Sequence, residues 1–84
     1  MKGQNTISLD GEKIKLKLTV GAYEDFQDYI DDLPQKVNAD QALSKMKHLR
    51  QFLHIMSKEA GNEVPAEKFR SLEFSEIEKA VSLI

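Results

Sequence analysis

The chain contains no cysteine, and its two prolines and four glycines are scattered. Without cysteine there is no disulfide, no thiolate nucleophile and no thiolate zinc ligand. The lack of disulfides fits a reducing compartment. Gly3, Gly11, Gly21 and Gly61 never gather into a loop that would cradle a phosphate. No apolar run approaches the roughly 20 residues that span a bilayer, and no secretory signal opens the chain, so the expected location is the cytoplasm. Excess positive charge is missing too. Twelve basic residues against 14 acidic ones leave a net charge of −2, which argues against a dedicated nucleic-acid binder. Internal repeats and low-complexity segments are also absent.

What remains is an ordinary globular composition, 40% hydrophobic and 31% charged, in 84 residues. That length predicts one α+β domain with a thin core. Charge is distributed unevenly along it. Residues 1–20 carry +2, residues 21–33 carry −5, residues 34–60 carry +3 and residues 61–84 carry −2. Alternation of this kind suits segments that dock on each other or on copies of each other.

The longest predicted element is a central helix over about 39–60. Asn38 and Gln41 form a capping-box pattern at its start, and Gly61 can close it in the left-handed conformation. Ala42, Met46, Leu49, Leu53, Met56 and Ala60 recur at spacings of three and four, with Leu43 alongside. Phe52 and Ile55 fall outside that stripe and read as a second apolar face, on the side of His48 and Glu59. Either the rest of the chain covers both faces, or the Phe52–Ile55 face meets another copy or another protein. A domain this small buries only about 60% of its unfolded surface, which keeps the second reading open.

Before that helix, Ile7, Leu9, Ile14, Leu16, Leu18 and Val20 alternate with polar residues as strands do. Asp10-Gly11 between the two runs favours a two-residue hairpin turn, which pairs Ile7 with Ile14 and puts the apolar residues on one face. The other face carries Thr6, Ser8, Lys13, Lys15 and Lys17, either solvated or docked on an acidic partner. Thr19 is the predicted cap of a helix over about 20–33, stopped by Pro34. Gly21 at its start permits close approach of the hairpin backbone. Glu24, Asp25, Asp28, Asp31 and Asp32 crowd one side of this helix. A straight helix fans such carboxylates outward, whereas a calcium or magnesium site needs them to converge. They therefore read as a solvated acidic face or a partner contact. Towards the C-terminus, Pro65 suits the first position of a short helix to about Arg70. Ser75 and Glu78 form a second capping-box pattern, with Ile77, Ala80, Val81 and Ile84 on one side of the helix that follows. The apolar Leu83-Ile84 pair docks in the core, is held by a neighbour, or marks a junction to a longer product.

No catalytic constellation is legible. His48 and His54 are six apart and cannot share a metal across one helix face. No serine sits in a nucleophile elbow. Neither catalytic residues nor cofactor or metal ligands are expected, so the chain does not read as an enzyme.

The stretch Ile7-Ser-Leu-Asp-Gly-Glu-Lys-Ile-Lys-Leu-Lys-Leu-Thr-Val-Gly-Ala-Tyr-Glu-Asp-Phe26 resembles the opening of tail assembly chaperones from long-tailed bacteriophages and prophages. In that family a short hairpin ends in a Thr-x-Gly-Ala step leading into an amphipathic helix, as Thr19-Val20-Gly21-Ala22 does here. A longer helix and a short acidic helical end follow in the same order. The resemblance implies a non-enzymatic protein that coats the helical tape-measure protein while the tail tube polymerises. It also implies self-association into rings or spirals, and a longer product made by ribosomal frameshifting. The expected partners are thus a second copy and a long helical client, with no membrane. Phe52 and Ile55 are the leading candidate contact residues, joined by Asp28, Tyr29, Leu83 and Ile84. The reading from another class is a small regulatory or DNA-associated helical module of a mobile element.

Overall fold

A computed structural model describes residues 4–83 as an α+β arrangement, an N-terminal hairpin followed by helices. Strands β1 (Gln4–Leu9) and β2 (Glu12–Lys17) pair antiparallel, with Ile7 opposite Ile14 and Leu9 opposite Glu12. Asp10 and Gly11 both take positive φ, 50° and 84°. That is the geometry of a type I′ turn, whose twist matches the strands it joins. The register buries Ile7, Leu9, Ile14 and Leu16 on one face and leaves Lys13, Lys15 and Lys17 exposed on the other.

Helix α1 (Val20–Asp31) leaves the hairpin at once, because the Thr19 hydroxyl accepts a hydrogen bond from the Ala22 amide at 3.0 Å. Its last regular residue is Asp31, short of the predicted Leu33. Asp32 and Leu33 donate only to the carbonyls three residues back, the tighter turn that often ends a helix before a proline. Gly21 lies against the end of a later helix and not against the hairpin. A Cβ there would stand 3.3 Å from Oε1 of Glu59, whose carboxylate accepts from the Thr19 hydroxyl.

The predicted rod over 39–60 is two helices, α2 (Ala39–Leu43) and α3 (Met46–Glu59). The capping box of Asn38 and Gln41 forms as the sequence indicates. Three residues after Gln41, the Ser44 hydroxyl donates to the Gln41 carbonyl at 2.7 Å, and Lys45 adopts an extended backbone. A serine that satisfies a helical carbonyl locally offers the chain an alternative to continuing the helix. The break lets α2 and α3 pack on each other and lets α2 reach α1.

Helix α3 closes in a Schellman turn. Gly61, at φ 93°, donates to the Lys58 carbonyl and Asn62 donates to that of Ser57. The turn fixes two further contacts. The Asn62 side chain accepts from the Lys15 amide and donates to the Lys15 carbonyl, occupying the free edge of β2. The Ser57 hydroxyl, fully buried, donates to the His54 carbonyl and accepts from the Val64 amide. Pro65 then precedes a 3-10 helix (Ala66–Ser71), the short helix expected to about Arg70.

Helix α4 (Phe74–Val81) starts before the predicted Ser75 cap. Glu73 occupies the cap position, and its carbonyl accepts from the amides of Glu76 and Ile77 without a side-chain cap. Helix α4 covers β1, where Oε1 of Glu76 accepts from the outward Ser8 amide at 2.7 Å. Helix α3 packs against β2, α1, α2 and the 3-10 helix. No buried side-chain nitrogen or oxygen among the described residues lacks a hydrogen-bond partner.

Replacing Ser57 by alanine strands the Val64 amide in the core, and should cost about 1–3 kcal/mol. Phe52→Ala, which opens a cavity at the centre, should cost about 3–5 kcal/mol. Urea unfolding followed by circular dichroism measures both, and an unchanged midpoint for Ser57→Ala would contradict the role given to its hydroxyl.

Candidate interaction surfaces

The Phe52–Ile55 face is not a free surface. Phe52 is 0% exposed and Ile55 7%, both enclosed within a single chain. The Phe52 ring stacks on Phe26 of α1 with centroids 4.4 Å apart and planes 8° apart, and meets Tyr23 edge-on at 6.4 Å. The error lay in reading two faces where there is one. Phe52 follows Leu49 by three residues and precedes Met56 by four, so it adjoins the apolar stripe, and Ile55 extends it by another step. Leu49, Phe52, Leu53, Ile55, Met56 and Ser57 are all buried, and together they wrap more than half of the helix.

The other predicted contact residues divide. Asp28 is exposed and Tyr29 half-buried on α1, and they share a groove of about 340 Å³ with the edge of Ile55. Asp25 and Asp28 of α1 and Asp32 at its cap line one side, and His54 and Lys58 face them from α3. Leu83 is half-buried and packs against the core, away from that groove. Ile84 lies outside the described residues.

The charge on this surface is largely uncompensated. Among the described residues, neither the four carboxylates of α1 nor Asp32 at its cap forms an ion pair, the one ion pair being Lys79 with Glu76 at 3.0 Å. The Glu76 carboxyl is held below its ordinary value first by the Ser8 amide and then by Lys79. Tyr29 is tied at its hydroxyl to Nδ1 of His48, 2.9 Å away. Partial burial, and then Lys47 and Lys45, lower the pKa of His48. Nδ1 of His54 lies 2.7 Å from the Val64 carbonyl. Neither histidine stands in a group of three or more His, Cys, Asp or Glu able to hold a metal ion, and no such group occurs among the described residues.

Two surfaces escaped the sequence reading. On α4, Phe74 is 76% exposed and Val81 45%, with half-buried Ile77 between them. Phe74 and Val81 are seven residues apart and lie within about 20° on the helix, so the three form an apolar ridge beside the buried Ala80. That spacing was present in the sequence but was masked by placing the helix start at Ser75. The second surface is a groove of about 560 Å³ between the connector that follows α1, helix α2 and the start of α3. Leu33, Val37 and Ala42 supply its apolar lining, and Lys45, Lys47 and His48 part of its rim. It exists because the helix breaks at Ser44, which no periodicity announced. No helix among the described residues is long and apolar enough to cross a membrane. No family model, curated protein or solved structure matches the chain.

The His48 shift has a testable sign. A histidine whose folded pKa lies below its ordinary 6.5 binds fewer protons folded than unfolded. Its contribution to stability is present above 6.5 and is lost as the pH falls through 6.5 to the folded value. Urea midpoints measured from pH 7.5 to 5 should therefore decline, and His48→Gln should flatten that decline. An identical slope in the variant would refute the assignment.

Proposed function

We propose that this chain is a non-catalytic assembly chaperone of a phage tail, which binds a long helical client, the tape-measure protein, and self-associates in the bacterial cytoplasm. The observation that carries the reading is the acidic face of α1. Four carboxylates stand on one 12-residue helix and a fifth, Asp32, caps it, with no ion-pair partner among the described residues. Next to them runs a groove with the Tyr29 ring and the edge of Ile55 in its wall. Such a surface suits an amphipathic helix with basic flanks, whose apolar side chains meet Tyr29 and whose lysines meet Asp25, Asp28 and Asp32. The resemblance of Ile7–Phe26 to the opening of tail assembly chaperones supports the same reading, with Thr19 capping α1 directly behind the hairpin. Phe52 drops out as a contact residue, and Ile55 contributes only its edge.

Co-expression with the very long helical product of a neighbouring reading frame provides the test. The chaperone should raise the soluble fraction of that product several-fold, and the double variant Asp25→Lys, Asp28→Lys should lose most of the gain while remaining folded. A client equally insoluble with and without the protein would remove the proposal. So would a salt-dependent shift of DNA in a gel with no effect on the client, which would favour a DNA-associated module.

A further inference from the structure

The ridge on α4 and the groove beside the α2–α3 break are complementary in two independent respects. The ridge is apolar along Phe74, Ile77 and Val81, and the groove is apolar at Leu33, Val37 and Ala42. Exposed Glu73 and Glu78 accompany the ridge, while exposed Lys45 and Lys47 rim the groove. Glu76 and Lys79, the other charges of α4, are paired with each other, and Glu76 is turned onto β1. The two surfaces share no residue. One sits on the helix that covers β1, the other among elements gathered at the start of α3.

We infer that the α4 ridge of one copy seats in the Leu33–Val37–Ala42 groove of the next, with Glu73 and Glu78 against Lys45 and Lys47. The inference rests on the self-association in the proposed function and names its contact. Because ridge and groove are different surfaces, the contact is heterologous. Each copy keeps one free ridge and one free groove, so the assembly grows as a row or closes as a ring and does not stop at a two-fold dimer. A single ridge of about 10 Å buries less than the roughly 1,600 Å² of a standard interface. Association is therefore expected only at about 10–1,000 micromolar, weakening with salt.

Sedimentation of the purified chain from micromolar to millimolar concentration tests this. The wild-type mass should rise with concentration and fall at high salt. Phe74→Asp, at an exposed position, and the pair Lys45→Glu, Lys47→Glu should each stay monomeric with unchanged circular dichroism. Mixed in equal amounts, they should yield two chains and no more, because one intact ridge meets one intact groove. Adding Glu73→Lys and Glu78→Lys to the lysine-reversed chain should restore growth. A wild type that assembles while Phe74→Asp assembles equally well overturns this contact and leaves self-association standing. Variants that are monomeric alone and also fail to pair when mixed overturn it too. A wild type that is monomeric at millimolar concentration overturns both contact and self-association, whereas client solubility independently decides the chaperone reading.

Discussion

Three parts of the chain need the same helix, α3. The hairpin offers its apolar face through β2, α1 offers Ala22, Phe26 and Ile30, and the 3-10 helix offers Phe69. Two strands alone are marginal in water and a 12-residue helix alone is no better. Each becomes stable by covering part of α3, which is why α3 is apolar over more than half of its circumference. The Phe26–Phe52 stack joins α1 to it, and the Schellman turn at its end joins it to β2 through Asn62. Thr19 and Glu59 link the start of α1 to the end of the same helix. The core is thin, but it is organised around one element against which β2, α1, α2 and the 3-10 helix all pack.

Using the interior in this way decides which surfaces remain for partners. The hairpin edges are largely spent. Glu76 takes the Ser8 amide, Asn5 the Thr6 amide, and Asn62 both backbone groups of Lys15. With lysines along its outer face, the hairpin is poorly suited to adding a strand from another chain. Recognition is left to helix faces and to the places where helices join.

The features legible in the sequence are those governed by neighbours a few residues apart. The Asp10-Gly11 turn, the register it imposes, the Thr19 cap, the Asn38–Gln41 box and the closing Gly61 are all local, and each stands as its residues indicate. What was misread depended on distant contacts or on assuming a straight rod. Periodicity treats Asn38–Gly61 as one cylinder, so it missed the step at Ser44 and with it the groove. It also assigned Phe52 to a separate face, although the spacing from Leu49 and Met56 sets it beside the stripe; that Phe26 covers it depends on the packing of α1. The Ser75–Glu78 pattern was a false signal, since the amides of Glu76 and Ile77 found the Glu73 carbonyl and the helix began early. Asp28 and Tyr29 were placed correctly on α1, yet only the packing of α1 on α3 brings them beside Ile55.

Covering the Phe52–Ile55 side of α3 within one chain does not weaken the case for assembly; it changes the kind of assembly to consider. An exposed second face on α3 would have favoured a single strong contact between two copies. The surfaces that remain are smaller and separate: an acidic helix face, an apolar ridge on α4 and a basic-rimmed groove. Small separate patches make weak individual contacts, and weak contacts become effective when repeated along a common object. On the proposed function a long helical client would be such an object, presenting amphipathic stretches at intervals and bringing successive copies to high local concentration. On the proposed reading, copies would be sparse contacts in free solution and neighbours on the client, so assembly would follow client binding without any need for a conformational switch.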